Sequence, residues 1–182
     1  MTATIHRHRP MTAPLRHATF PTDLGDLLAV ADGDALTGLY FEHHRYPPSA
    51  DRCGVRVDAV ADELLASVET QVGEYLAGAR RGFDLPLAPS GEPFQHRVWA
   101  LLTGIPHGST TTYGALATDL GDRNLAQAVG GAVGRNPISI IVPCHRVVGA
   151  DGSLTGYAGG LDRKRALLDL EAGPPEASGR LF

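Results

Sequence analysis

The chain has 182 residues, 43% of them hydrophobic, and a formal net charge of −4. This length holds one domain or two small ones with an ordinary apolar core. No uncharged apolar run of about 18 residues is present, so we expect no transmembrane helix and no membrane partner. The first ten residues lack the apolar core of a signal peptide, and two cysteines do not make a disulfide framework. We therefore predict a cytoplasmic protein.

Charge is distributed unevenly along the chain. Residues 1–89 carry eight arginines against twelve acidic residues, whereas residues 90–182 carry eight basic and eight acidic residues. The acidity therefore belongs to the first half, and the second half is neutral rather than basic. A neutral half predicts modest affinity for a polyanion such as DNA and a shallow salt dependence of binding.

The first half predicts a small α/β domain over residues 19–85, preceded by a flexible tail over residues 1–18. Short apolar segments separated by Asp/Gly turns predict an antiparallel sheet with strands at residues 18–20, 27–31 and 36–41. A polar loop follows over residues 45–56. Apolar residues recur at helical spacing from Val60 to Leu76 and predict a helix over residues 59–79. The turn-rich segment 86–92 is the expected linker to a second domain.

The second half predicts a mostly helical domain over residues 93–173 and a C-terminal tail over residues 174–182. Thr112 and Asn124 are candidate N-caps for two short helices joined by a Gly-containing turn, which is typical of a helix-turn-helix. A strand at 139–142 and a hairpin around Asp151-Gly152 would complete a winged helix. The helices are expected at residues 93–102, 113–120, 125–134 and 162–170.

The tetrapeptide Pro143-Cys144-His145-Arg146 ends an apolar, β-branched run and is the main candidate for chemistry. A buried structural cysteine is the ordinary interpretation of a cysteine in such a run. Pro143 argues against it, because proline cannot donate to a central strand ladder and the strand must end or turn there. The adjacent histidine can take the thiol proton, and the arginine adds positive potential. Cys144 is therefore predicted to be a presented nucleophile.

Several further motifs follow in a fixed order from residue 94 to residue 171. They are Phe94-Gln95-His96-Arg97-Val98-Trp99, Ile105-Pro106-His107-Gly108, Thr112-Tyr113-Gly114, Val129-Gly130-Gly131-Ala132, Arg135-Asn136-Pro137, Pro143-Cys144-His145-Arg146-Val147-Val148-Gly149, Thr155-Gly156-Tyr157-Ala158-Gly159-Gly160-Leu161 and Leu170-Glu171. Together they resemble the O6-alkylguanine-DNA alkyltransferases, or methylated-DNA–protein-cysteine methyltransferases. The resemblance implies an α/β, RNase H-like N-terminal domain with a small antiparallel sheet plus a helix. A mostly α, winged helix-turn-helix domain would follow it.

The resemblance also implies a function and a set of catalytic residues. The protein would repair DNA by direct reversal, moving an alkyl group from O6 of guanine, and less readily from O4 of thymine, irreversibly and stoichiometrically to Cys144. The base must be extruded, because O6 lies inside the stack. His145 would take the thiol proton through a water, and Glu171 would orient it. Asn136 would link the preceding helix to the active-site segment, and Tyr113 would protonate the leaving guanine at N3.

Other residues are expected to contact the base or the duplex. The residues implied at the flipped base are Tyr157, Ala158, Val147 and Gly159. The residues implied on double-stranded DNA are Gln127, Ala126, Ala128, Gly130, Gly131, Arg135 and Thr112. Glycine destabilises a helix, so the small residues among them indicate close approach, which the resemblance places in the minor groove. Pro143 and Arg146 are given structural roles, Arg146 by holding backbone carbonyls or contacting the domain interface.

Two positions depart from the family pattern. Gln127 stands where relatives commonly carry an arginine that fills the gap left by the flipped nucleotide. Glutamine cannot offer the same cation–π stacking, so weaker binding or slower repair of duplex DNA is expected. Ala158 stands where several relatives carry serine, so a hydroxyl contact to O6 is lost and only the backbone N–H remains. This puts the preference among alkyl groups in doubt.

Two other functions remain open. A non-catalytic sensor of alkylated DNA would have the same fold, and a cysteine hydrolase with a Cys-His-Glu triad would use the same side chains. We expect a protein that is monomeric when free and nucleoid-associated on DNA, and cooperative binding to DNA is left open. No cofactor is expected, because the possible zinc ligands show neither CxxC nor HxxxH spacing. These candidates by residue type are His6, His8, His17, His43, His44 and Cys53.

Overall fold

The computed structural model describes residues 14–173 and begins with a four-stranded sheet. The strands are β1 (Arg16–Phe20), β2 (Leu27–Asp32), β3 (Ala35–Phe41) and β4 (Val55–Arg56). They lie in the order β3-β2-β1-β4, with β1, β2 and β3 antiparallel and β4 parallel to β1. The predicted antiparallel sheet is therefore confirmed and gains a short parallel strand from the expected polar loop.

One helix, α1 (Glu63–Leu76), packs its apolar stripe against this sheet. It is shorter than the predicted helix over residues 59–79, because residues Ala59–Ala61 form a separate 3-10 turn. Asp62 then leaves the helical conformation and caps α1, its Oδ1 accepting a hydrogen bond from Leu65 N at 3.0 Å. The helix buries Leu65, Val68, Val72 and Tyr75.

The expected tail and linker are both partly incorporated into the sheet domain. Strand β1 starts at Arg16, so residues 16–18 pair in the sheet and do not belong to the tail. Residues 1–13 and 174–182, which hold the rest of the two predicted tails, lie outside the described residues. In the predicted linker, Leu87 is fully buried and bridges to Leu36 of β3. Leu36 N donates to the carbonyl of Pro86 at 2.8 Å, so the linker covers one end of the sheet edge.

The second half contains four helices among its described residues. They are α2 (Pro93–Thr103), α3 (Tyr113–Asp119), α4 (Ala126–Gly134) and α5 (Leu161–Ala172). Thr112 caps α3 as predicted, accepting from Ala115 N at 3.1 Å. The predicted cap at Asn124 is wrong: Asp122 caps a 3-10 turn, Arg123–Leu125, which leads into α4 without a side-chain cap. Helices α3 and α4 pack together as the expected helix-turn-helix.

The predicted strand at 139–142 and the predicted hairpin are wrong. Residues 139–142 form a turn, in which buried Ile140 has φ of 69°, a conformation that β-branched residues seldom adopt. The short strand β6 (Val147–Val148) pairs in parallel with β5 (Thr111–Thr112). The Asp151-Gly152 turn exists, closed by Gly149 N donating to Ser153 O at 2.9 Å, but no strand follows it. The apolar run is buried because it passes through the core, and not because it belongs to a sheet.

The segment that leads to Cys144 docks on the sheet of the first domain. Leu39 N of β3 donates to the carbonyl of Pro137 at 2.8 Å, and Ser139 N donates back to Leu39 O at 2.9 Å. The isolated bridge between Leu39 and Ile138 thus joins the two domains beside the candidate site. Among residues 14–173, no helix has the length and apolar character needed to cross a membrane.

Candidate active site

Cys144 opens a 3-10 turn, Cys144–Arg146, and its side chain is buried. Asn136 Nδ2 lies 3.1 Å from Cys144 Sγ and also donates to the carbonyl of Val142 at 2.8 Å. Asn136 Oδ1 accepts from Ile138 N at 3.0 Å, which fixes the orientation of the amide. The side chain of Asn136 therefore ties the end of α4 to the turn that presents the thiol, and its N–H groups can stabilise a thiolate.

His145 is fully buried and forms a short contact with Glu171 near the end of α5. Its Nε2 lies 2.6 Å from Glu171 Oε1, and a carboxylate can only accept, so Nε2 carries the proton. Nδ1 is then the unprotonated nitrogen, and it has no hydrogen-bond partner among the described residues. This contact is the one expected if Glu171 orients His145 as the proton acceptor, and that role stays a prediction. The arrangement leaves one basic nitrogen free beside Cys144.

Glu171 is the centre of a larger buried network. Arg146 Nε donates to Glu171 Oε2 at 2.9 Å, and its Nη2 donates to Oε1 at 3.0 Å. The Tyr75 hydroxyl of α1 donates to Oε1, and Gly108 N donates to Oε2 at 2.8 Å. Burial alone would raise the pKa of the Glu171 carboxyl, but hydrogen bonds from His145 and Arg146 outweigh it and hold that pKa far below its usual range. Glu171 is therefore a carboxylate throughout the physiological range.

Arg146 also links this network to a backbone carbonyl. Its Nη1 donates to the carbonyl of Ile105 at 2.6 Å, in the loop that follows α2. This arginine therefore satisfies a carboxylate and a carbonyl at the same time, and it is nearly fully buried. The ion pair with Glu171 was not foreseen from the sequence, which indicated only carbonyl or interface contacts.

Burial shifts the pKa values of Cys144 and His145 in opposite directions. It raises the pKa of the Cys144 thiol, and the Asn136 hydrogen bond and the Lys164 charge oppose this. Burial lowers the pKa of His145, and Glu171 opposes this. The resting pair is thus a neutral thiol beside a neutral imidazole.

Lys164 is a site residue that the sequence analysis missed. It is fully buried, and its Nζ donates to the carbonyls of Val147 at 2.6 Å and Thr155 at 2.7 Å. Burial lowers its pKa to about 8, so it is mostly protonated at neutral pH. No sequence signal could have found it, because Asp162-Arg163-Lys164-Arg165 resembles a solvated charged turn of helix.

A cavity of about 460 Å³ opens beside this network. Burial, with a smaller contribution from nearby Cys144, raises the pKa values of Tyr113 and Tyr157, which line it. Cys144 itself does not line the cavity, but it lies near these two tyrosines. The lining residues are Arg45, Tyr46, Tyr113, Ala126, Gln127, Gly130, Gly131, Gly134, Thr155, Gly156, Tyr157 and Ala158. Aromatic side chains and small residues thus surround a concave, mostly apolar space of the kind that binds small organic groups.

Comparison with known proteins agrees with this geometry. Two family models match the chain: the ribonuclease-like domain of 6-O-methylguanine DNA methyltransferase over residues 15–89, and its DNA-binding domain over residues 93–173. A methylated-DNA–protein-cysteine methyltransferase of Mycobacterium tuberculosis is 42% identical over 168 residues, covering 92% of this chain and 99% of the relative. The chain belongs to the 6-O-methylguanine DNA methyltransferase family.

Relatives in archaea and among solved structures extend the comparison. A methyltransferase of the same name from Methanosarcina acetivorans is 42% identical over 155 residues, covering 85% of this chain and 97% of the relative. The crystal structure of Mycobacterium tuberculosis OGT in complex with DNA matches with a TM-score of 0.78 and 42% identity, over 86% of this chain and 92% of that one. The predicted two-domain fold class is thereby confirmed.

Of the four residues expected at the flipped base, Tyr157 and Ala158 line the cavity, and Gly159 and Val147 do not. Gly159 is buried, and a Cβ there would lie 2.8 Å from Phe41 of β3, so only glycine fits. Val147 is fully buried and presents its carbonyl to Lys164 instead of its side chain to the cavity.

The residues expected on DNA divide into two groups. Four of them lie on the cavity lining, and three do not. Thr112 uses its hydroxyl to cap α3, and Ala128 and Arg135 lie exposed outside the lining. The four lining residues are Ala126, Gln127, Gly130 and Gly131. Tyr113 donates its hydroxyl to the carbonyl of Thr155 at 3.1 Å across the cavity.

Metal ligation receives no support from the described part of the chain. Between residues 14 and 173, no group of three or more His, Cys, Asp or Glu side chains is arranged to hold an ion. Cys53 Sγ lies 3.5 Å from the carbonyl of Ser49, and His17 Nδ1 lies 3.2 Å from the carbonyl of Cys53. Of the six candidate ligands, His6 and His8 lie outside the described residues.

Proposed function

We propose that this protein repairs alkylated DNA by transferring the alkyl group from O6 of guanine, and less readily from O4 of thymine, to Cys144. DNA is the partner, as the family match and the DNA-bound relative support. The single observation that carries the proposal is the Asn136–Cys144 and His145–Glu171 network near a cavity lined by Tyr113 and Tyr157. The reaction would take place on double-stranded DNA, in the cytoplasm and at the nucleoid.

The proposed chemistry is a displacement at the alkyl carbon. The Cys144 thiol gives its proton to His145 Nδ1, directly or through a water, and the thiolate attacks the carbon attached to O6. The C–S bond forms as the C–O bond breaks, and the electron pair leaves on guanine. Tyr113 protonates N3 of the leaving base, which makes it a better leaving group. The thioether is not hydrolysed, so each molecule acts once.

The DNA contact is proposed to run through the minor groove with α4. Ala126, Gly130 and Gly131 leave the cavity side of this helix without bulky side chains, which permits close approach of a narrow groove. Gln127 would fill part of the gap left by the flipped nucleotide, and Arg135 and Thr112 would lie against the backbone. Asn136 and Pro143 would keep the thiol segment in place. We propose a monomer in the free state.

The test is the intact mass of the protein after incubation with duplex DNA that contains one O6-methylguanine. We expect the mass to rise by one methylene and to stop at one per chain. Cys144→Ala should show no gain, whereas Cys53→Ala, which removes the other cysteine, should behave like the native protein. Binding without any gain in mass would favour the damage sensor, and repeated turnover would favour the hydrolase. Either result would overturn the proposal.

A further inference from the structure

The loop that follows β3 brings two side chains of the first domain to the mouth of the cavity. Arg45 and Tyr46 line it together with α4 and the loop 155–158. Arg45 N donates to the carbonyl of Ala158 at 2.8 Å, so the loop is held against the expected base-binding segment. Tyr46 is 37% exposed, although most large apolar side chains of the described residues are buried. An aromatic ring is thus kept at the rim of the site.

Two arginines approach this ring from different domains. The Arg135 guanidinium at the end of α4 lies 4.8 Å from the ring centroid of Tyr46, and that of Arg45 lies 5.5 Å from it. Both distances are within the range of cation–π attraction. Within residues 14–173, neither side chain forms an ion pair, whereas Arg16, Arg80, Arg146 and Arg163 each pair with a carboxylate. Two uncompensated positive charges therefore meet at one point of the cavity mouth.

We propose that Arg45 and Arg135, held on the ring of Tyr46, form a clamp for the backbone phosphates that flank the extruded nucleotide. This inference rests on the proposed function. A nucleotide that leaves the stack carries its phosphates to the mouth of the pocket that receives its base. Guanidinium groups are suited to phosphate, because their N–H groups match its oxygens in a bidentate geometry.

The clamp would supply positive charge that this chain lacks at position 127. Gln127 brings no charge to the mouth of the cavity, and the second half of the chain is neutral overall. A positive contact donated by the first domain would restore part of the attraction that the missing arginine would supply. It would also make DNA binding depend on the docking of the two domains.

The test compares alkylation rates on duplex O6-methylguanine DNA and on free O6-benzylguanine, which has no phosphates. For Arg45→Gln and Tyr46→Ala, we expect the ratio of the duplex rate to the free-base rate to fall severalfold. Tyr46→Phe keeps the ring and should lower the ratio much less. Arg56→Gln is the charge-matched control, because Arg56 is exposed on β4 and does not line this cavity.

Salt dependence separates a phosphate contact from a loss of structure. For Arg45→Gln, the slope of log affinity for duplex DNA against log salt should become shallower by about 0.9 for each lost phosphate contact. A slope and a rate ratio equal to those of Arg56→Gln would overturn the clamp and leave the proposed function intact. Failure of the native protein to become alkylated by either substrate would overturn the proposed function and the clamp with it.

Discussion

The expected reactivity of Cys144 depends on the protonation state of the neighbouring His145. Glu171 fixes the proton of His145 on Nε2, so the free lone pair is on Nδ1. Because burial lowers the pKa of His145, the ring remains neutral at physiological pH and can accept a proton. Moving the thiol proton to Nδ1 leaves the net charge of the pair unchanged. The amide of Asn136 and the ammonium of Lys164 then stabilise the thiolate.

This arrangement predicts a flat pH–rate profile for alkylation by free O6-benzylguanine between about pH 6.5 and pH 7.5. Above the lowered pKa of His145 and below the raised pKa of Cys144, the pair holds the same number of protons. On the acid side, the rate should fall only well below pH 6.5, as His145 becomes charged. Measurements stay within this range, where Lys164, whose pKa burial lowers to about 8, is still mostly protonated.

His145→Gln provides the contrast for this prediction. Without a base, the thiolate must form by ionisation to solvent, and its fraction rises about tenfold for each pH unit below the thiol pKa. The variant should therefore show a slow rate with that slope across the same range. A tenfold rise per pH unit in the native protein would mean that His145 does not take the proton.

At the scale of elements, α4 has an uncovered surface at Gly131 and carries Gln127 where relatives commonly carry an arginine. A Cβ at Gly131 would have no neighbouring atom within 4 Å, so the described residues leave this point of the helix uncovered. Gln127 lies exposed on the same helix. A shorter, uncharged side chain there can fill space and form hydrogen bonds, but it adds no electrostatic attraction to the duplex.

Gln127→Arg should therefore accelerate repair of duplex O6-methylguanine severalfold, while the reaction with free O6-benzylguanine changes little. The physical reason is that only the duplex has a gap to fill and phosphates to attract the added charge. Ala100→Arg, at an exposed position of α2 outside the cavity lining, controls for net charge. Equal duplex rates for the native protein and Gln127→Arg would contradict the prediction.

Local sequence predicts most elements but not the segment that carries the nucleophile. The helical stripe in α1, the cap at Thr112 and the helix-turn-helix follow from short-range patterns and are found. The run before Cys144 has the composition of a strand, yet it turns at Ile140. Its conformation is set by docking on Leu39, about a hundred residues away in the chain, and spacing cannot encode such a contact.

At the scale of the whole molecule, both domains contribute to the site. Tyr75 belongs to the buried apolar stripe of α1, yet its hydroxyl reaches Glu171 across the domain interface. Arg163 of α5 donates to the carbonyl of Leu24 at 2.6 Å and to that of Gly159 at 3.1 Å, so it ties the segment before α5 to the loop between β1 and β2. Such contacts appear only when the domains are assembled, which is why the sequence indicated the reacting residues but not their supports.

Glu171 accepts a hydrogen bond from Tyr75 of the first domain and forms an ion pair with Arg146 inside the second, and its charge predicts how stability depends on pH. Its folded pKa lies below the unfolded value of about 4.3, so the carboxylate stabilises the folded state at all higher pH values. That contribution is present in full at pH 7 and is lost as the pH falls below about 4.3 towards the folded pKa. At pH 7, Glu171→Gln should lower the free energy of unfolding by about 3–5 kcal/mol, because Arg146 is left buried without its partner.

Urea unfolding of the native protein and of Glu171→Gln, between about pH 7 and pH 3, measures this contribution directly. The difference between the two free energies of unfolding should be largest at neutral pH and shrink in acid. Protonation of Glu171 then removes from the native protein the stabilisation by the carboxylate, which the variant lacks at every pH. Asp169→Asn is the matched control, because Asp169 lies exposed on the same helix without an ion pair among the described residues. It should follow the native curve. A constant difference across the range would mean that Glu171 acts through packing and not through its charge.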